Sequence, residues 1–163
     1  MSRLPALGPR GEGWVLAQGI LMWLVVGAGW FFGPGWPEPV RLVGVLAGSV
    51  LIFGGLALVV RAAIDMGATV TPFPKPRDSG QLIDTGAFAI VRHPVYAGFI
   101  LAGIGWGVVM ASAAAIVLTG VLATFLYLKS TREEAWLVSR YPGYEAYRAR
   151  TPRFIPWIGR SRG

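Results

Sequence analysis

Between Pro94 and Leu128 the chain runs for 35 residues without a charged side chain. As one helix this stretch would measure roughly 50 Å at 1.5 Å per residue, against roughly 30 Å of hydrocarbon in a bilayer. Two short spans, about 95–110 and 113–128, fit better than one. The turn between them, near Met110 to Ala113, is marked only by Ser112 and small residues, so three spans in all is the alternative to four. Two more uncharged runs come earlier. Trp14 to Phe32 is long enough to cross a bilayer, with Trp14, Trp30 and Trp36 near its ends, where indoles favour the interface. The Gly-Pro-Gly-Trp-Pro-Glu-Pro segment at 33–39 ends that helix. Leu42 to Val60, flanked by Arg41 and Arg61, is the next span, and its Gly44, Gly48, Gly54 and Gly55 allow close helix contact in lipid.

Composition agrees with a bilayer as solvent. Of 163 residues 54% are hydrophobic and 14% charged, where soluble domains carry about 25% charged residues. Mean hydropathy is +0.56. The net charge of +7 would suggest nucleic acid in a soluble protein. Here the cations lie outside the apolar runs, so anionic lipid head groups are the expected partner and nucleic acid is not. With no cysteine, disulfides, thiolate metal sites and cysteine nucleophiles are excluded, and no metal site is expected. Arginines ahead of the first apolar run resemble a signal peptide superficially. That run is long and lacks a small-residue cleavage site, so it is expected to be retained as a span.

The expected fold is all-α and integral to the membrane: one domain, with about four transmembrane helices at 14–32, 42–60, 95–110 and 113–128. A cytoplasmic C-terminal helical segment and tail follow at 130–163. Residues 62–92 form a polar connector whose Thr-Pro-Phe-Pro-Lys-Pro-Arg stretch at 71–77 is too proline-rich for helix. The 130–148 stretch is expected to be a helix broken at Tyr141-Pro142-Gly143. With four spans, the N-terminal tail, the 61–93 connector and the C-terminal tail from Lys129 on share one side and hold every Lys and Arg except Arg41. The positive-inside rule places that side, and both termini, in the cytoplasm. The expected location is a bacterial inner membrane.

No span carries an ionisable side chain, which disfavours a transporter or proton pump. The chemistry must sit at the membrane edge, and two clusters there border the third and fourth spans. Arg92-His93-Pro94-Val95-Tyr96-Ala97-Gly98 contains the only histidine. It either caps the helix that Pro94 starts or offers guanidinium, imidazole and helix N-terminus to an anion, such as the carboxylate of an amino-acid-like cofactor. Arg132-Glu133-Glu134 lies on the far side of the hairpin. Adjacent carboxylates point roughly 100° apart on a helix, so one could face inward and the other water. The plain alternative is a solvated charged turn. Tyr141, Tyr144 and Tyr147 at i, i+3 spacing share a helix face, which rests on the membrane or on other helices, or presents rings to a cationic ligand.

Taken together, Thr-Pro-Phe-Pro, Leu82 to Gly86, Arg-His-Pro-Val-Tyr-Ala-Gly, Glu-Glu-Ala-Trp-Leu, Tyr144, Tyr147 and Pro-Arg-Phe-Ile-Pro resemble the isoprenylcysteine carboxyl methyltransferase and phospholipid methyltransferase superfamily of membrane enzymes. The likeness covers about 71–157. It implies an S-adenosylmethionine-dependent methyltransferase whose C-terminal half encloses the cofactor near the cytoplasmic face. It further implies that His93, Tyr96 and Gly98 line the cofactor pocket, with Arg92 and Tyr144 beside them, and that Arg153 helps close it. Glu133 and Glu134 would bind the cofactor or flank the methyl-transfer centre. Two features depart from the pattern. Gly86-Ala87-Phe88-Ala89 stands where members often have Gly-Pro-Tyr-Arg, and Lys129 stands where an arginine precedes the paired glutamates.

The acceptor implied is a lipophilic or small molecule reached from the membrane. A carboxylate acceptor would need a cation, with Lys129, Arg132 and Arg153 as candidates. An amine or thiol would need a base, with Glu133, Glu134 and His93 as candidates. A non-enzymatic packing or adaptor protein with a lipid-binding basic tail is the competing reading. It explains composition and charge but not the two motifs flanking one hairpin.

Overall fold

The computed structural model describes residue 5, residues 7–67 and residues 82–158. The proline-rich stretch at 71–77 and the last five residues of the tail lie outside the described residues. All regular structure among the described residues is helical: α1 Glu12–Phe32, α2 Arg41–Met66, α3 Ala87–Ile90, α4 Pro94–Val109, α5 Ala113–Arg140 and α6 Tyr144–Arg150. α1, α2 and α5 are long and apolar enough to cross a membrane; α4, at 16 residues, is a shorter apolar helix. Trp23, Val50, Phe53 and Phe31 are each at least 70% exposed, a surface that only a lipid solvent tolerates. The chain is an all-α membrane protein.

Glycines set the packing of α2 on α4. A Cβ on Gly55 would meet the Gly98 carbonyl at 2.5 Å, and one on Gly98 would meet the Gly55 carbonyl at 2.5 Å. Seven residues along each helix the pattern repeats, with Gly48 against the Gly105 carbonyl at 2.7 Å and Gly105 against the Gly48 carbonyl at 2.6 Å. Antiparallel backbones thus touch along a seam where any side chain would force them apart. At the far end of this seam Trp36 Nε1 donates to the Val108 carbonyl at 2.6 Å, and Trp106 Nε1 donates to the Val26 carbonyl at 3.1 Å.

The turn between α4 and α5 is made by Met110, Ala111 and Ser112. Ala111 takes a left-handed φ of 51°. Ser112 caps α5 by accepting from the Ala115 amide at 3.2 Å, while its hydroxyl donates to the Ala28 carbonyl of α1 at 3.0 Å. This one residue ends the hairpin and pins it to the first helix.

One expectation needs correction. The fourth apolar stretch and the C-terminal helical segment are not separate elements: α5 runs unbroken through 129 and 130 to Arg140. No glycine or proline falls between Val121 and Tyr141. Ser130 and Thr131 bond back to the Tyr127 carbonyl at 2.8 and 2.9 Å instead of breaking the helix. At 28 residues the helix is roughly 42 Å long, so its last turns extend past a hydrocarbon layer of roughly 30 Å. Those turns carry Arg132, Glu133 and Glu134. The helix ends at Tyr141, whose conformation before Pro142 is extended.

Candidate active site at one end of the bundle

The link between α3 and α4 is held by the C-terminal segment. The Arg92 amide donates to the Pro152 carbonyl at 2.8 Å and the His93 amide to the Arg153 carbonyl at 3.1 Å. Pro94 then starts α4 without needing a donor partner. This short pairing fixes the backbone of Arg92 and His93 and brings the Arg153 side chain to the same place.

Three elements meet on Glu134, which is 3% exposed. Arg92 Nε donates to Glu134 Oε1 at 2.9 Å, and Arg153 Nη2 donates to Glu134 Oε2 at 2.9 Å. His93 Nε2 lies 3.1 Å from Glu134 Oε1. A buried carboxylate is tolerated only when its charge is compensated and its lone pairs are filled, and two guanidiniums and an imidazole do both. Arg92 Nη1 goes on to the Arg148 carbonyl at 3.0 Å and to the Thr151 carbonyl. Arg153 Nη1 reaches Thr131 Oγ1 at 2.7 Å and Ser130 Oγ at 3.2 Å.

Glu133 faces the same cluster. The expectation that one carboxylate turns inward and the other to water is therefore corrected. Glu133 accepts from the Tyr96 hydroxyl, and its Oε2 lies 3.5 Å from His93 Nδ1. The imidazole sits between the two acids with one ring nitrogen toward each, so a separation of 100° on the helix still serves one site. His93 stacks parallel on Tyr96, centroids 5.5 Å apart, and Phe154 closes edge-on at 5.9 and 6.5 Å from the two rings.

The remaining sequence candidates divide. Lys129 is buried, with Nζ 5.2 Å from the Tyr96 ring centroid. Arg132 packs over the Trp136 ring at 4.3 Å, and its buried Nε has no hydrogen-bond partner among the described residues. Tyr144 is fully buried and meets Tyr147 edge-on at 5.7 Å. Burial pushes both hydroxyls well above the usual tyrosine range, and for Tyr144 the nearby Glu134 charge adds to it. Tyr147 donates to the Phe88 carbonyl at 2.7 Å, fastening α6 to α3. Gly98 is placed elsewhere, in the α2–α4 seam, where its missing side chain makes room for Gly55.

Two contributors escaped the sequence reading. Phe154 sat inside a noted motif but had no assigned role. Gln18 lies in α1, far from either motif, and accepts from Lys129 Nζ at 2.6 Å. The only available signal was that Gln18 is the sole carboxamide in an otherwise apolar span.

These features define a helical membrane protein with a buried knot of acids, guanidiniums and one imidazole at one end of its bundle. Residues 43–143, well over half of the chain, match the family described as phospholipid methyltransferase. The chain belongs to that family. It is 38% identical over 79 residues to the protein-S-isoprenylcysteine O-methyltransferase of Schizosaccharomyces pombe, a match covering 47% of this chain and 34% of that protein. It is also similar to the cobalt-zinc-cadmium resistance protein CzcN of Cupriavidus metallidurans, with 30% identity over 88 residues, 53% of this chain and 41% of the relative. The nickel-cobalt-cadmium resistance protein NccN of Alcaligenes xylosoxydans xylosoxydans is 31% identical over 81 residues, 49% and 38% of the two chains. The chain therefore aligns with less than half the length of each of these relatives.

Proposed function

We propose that the protein transfers a methyl group from S-adenosylmethionine to a lipophilic or small acceptor at the cytoplasmic face of a bacterial inner membrane. The observation that carries this reading is the imidazole of His93 bridging two glutamates that a helix hairpin brings back to it, in a chain of the phospholipid methyltransferase family.

The residues present suit that cofactor chemically. A zwitterionic amino-acid group needs a donor for its carboxylate and an acceptor for its ammonium. The buried Arg132 Nε is a donor without a partner among the described residues. Glu133 keeps acceptor capacity, since among the described residues its Oε2 has only the 3.5 Å approach of His93. The Tyr96 and Phe154 rings offer aromatic surface to a cationic sulfonium. Glu134 is already filled by Arg92, His93 and Arg153, so its part is to hold those three groups in place. Arg153 closes the site from the C-terminal side, and Tyr144 packs behind it against Tyr147.

When bound, the cofactor supplies a methyl that is already electrophilic. The protein's work is then alignment and exclusion of water. The apolar α4–α5 hairpin gives a lipophilic acceptor a route from the bilayer to this end of the bundle. The cations Lys129, Arg132 and Arg153 suit a carboxylate acceptor; Glu133 and His93 suit an amine or thiol.

The test is binding of S-adenosylhomocysteine to the purified protein in detergent, followed by a labelled-methyl assay against membrane lipid, prenyl-thiol and amine extracts. Saturable binding and label in one acceptor class are expected. No binding and no transfer would leave the packing or adaptor reading in its place.

A further inference from the structure

The family match begins at residue 43, so α1 lies wholly outside it. Yet α1 reaches the site. Its inward stripe is Trp14, Gln18, Leu21, Met22 and Val25, spaced to fall on one helical face. Val25 belongs to the apolar core with Tyr96, Leu122 and Leu126, and Leu21 and Met22 pack against that core. Trp14 meets Phe125 of α5 at 5.3 Å. Gln18 is the one carboxamide on this stripe, and it stands beside Lys129, which is 1% exposed. Its Oε1 accepts from Lys129 Nζ at 2.6 Å. The same Nζ lies over the face of Tyr96, whose hydroxyl donates to Glu133.

We propose that Gln18 is a positioning residue for the transfer reaction: it holds the Lys129 ammonium over Tyr96, so that the first helix completes the acceptor side of the site. This rests on the proposed function above. The physical reason for a glutamine here is that a buried ammonium needs acceptors. A carboxamide supplies one without placing a second charge on a lipid-embedded helix. A leucine would pack the stripe as well but would remove that acceptor.

The chain has only two lysines, Lys75 and Lys129, so an amine-directed acetylating reagent read by peptide mass spectrometry reports Lys129 against an internal reference. In the full chain in detergent, Gln18→Leu is expected to raise Lys129 modification relative to Lys75 about tenfold, the usual size of one lost hydrogen bond to a charged group. Gln18→Glu, which keeps the acceptor, is expected to preserve protection. S-adenosylhomocysteine affinity should stay within about twofold in Gln18→Leu, while labelled-methyl transfer to a membrane lipid, prenyl-thiol and amine extract falls about tenfold and recovers in Gln18→Glu. Unchanged Lys129 protection in Gln18→Leu overturns the inference, and so does full transfer activity with the lysine released. A wild-type protein that binds no S-adenosylhomocysteine retires the proposed function and this role with it. Loss of Lys129 protection in Gln18→Leu would then show that the contact stands while the reaction does not, separating the two failures.

Discussion

Arg92 Nε lies 2.9 Å from Glu134 Oε1 across 42 positions of sequence, and neither side chain is more than 7% exposed. The pair joins the start of α4 to the last turns of α5. Through Nη1, Arg92 also holds the carbonyls of Arg148 and Thr151. Glu134→Gln leaves two guanidiniums without their anion, a loss of about 3 kcal/mol or more for a broken buried pair. Its thermal transition in detergent is expected to fall well below that of wild type. Arg92→Lys should fall as well, because an ammonium cannot copy a guanidinium fork that serves three acceptors. A wild-type transition in both variants would show that the pair does not hold the bundle.

Tyr96→Phe tests the hydroxyl apart from the ring. The phenyl ring keeps the stacking on His93, 5.5 Å between centroids, and removes only the hydroxyl that Glu133 accepts. The expected outcome is S-adenosylhomocysteine affinity weakened about tenfold, because Glu133 loses the donor that orients it, together with a stability loss of about 1.5 kcal/mol for one hydrogen bond to a charged group. Calorimetry checks it; wild-type affinity would remove Tyr96 from the binding machinery.

The glycine seam predicts a contrast between two substitutions. Gly98→Leu drives a side chain into the Gly55 carbonyl, 2.5 Å from the added Cβ, and should destabilise by about 1–3 kcal/mol through overpacking. Gly120 has nothing within 4 Å of its would-be Cβ among the described residues, so Gly120→Ala should be neutral or slightly stabilising through helix propensity. Thermal transitions of the two variants, measured in one detergent, decide the matter. Equal behaviour would mean that α2 and α4 do not meet backbone to backbone.

Tyr147→Phe removes the hydroxyl that reaches the Phe88 carbonyl at 2.7 Å. Burial keeps that hydroxyl protonated through the physiological range, so it is a donor throughout. The cost should be about 1 kcal/mol, felt as faster amide exchange in α3 and α6 rather than in α2 or α4. Exchange rising uniformly across the bundle would contradict a local fastening.

What the sequence determined by itself is the helical membrane character and the hairpin bearing both motifs. Uncharged runs of bilayer length can satisfy their backbone in lipid only as helices or closed barrels, and the spacing and glycine content of these runs suit helices. Proline at 94 and Tyr141-Pro142-Gly143 mark ends because a ring in place of an amide hydrogen acts locally. The fourth apolar stretch ends at Leu128, but polarity changes at Lys129 while helix propensity does not, and propensity, not polarity, lets α5 continue to Arg140. Only the tertiary structure decided which side chains share the site. Glu133 and Glu134 both turn to His93 because a ring bridging two acids suits their divergence. Gly98 goes to the α2 seam, although it belongs to the same short motif as His93 and Tyr96. Gln18 joins Lys129 across 111 positions, and Arg153 arrives by backbone pairing of the segment after α6 with Arg92 and His93. Such contacts depend on the register in which helices pack, which is set by the sum of many small side-chain fits and leaves no periodic mark along the chain.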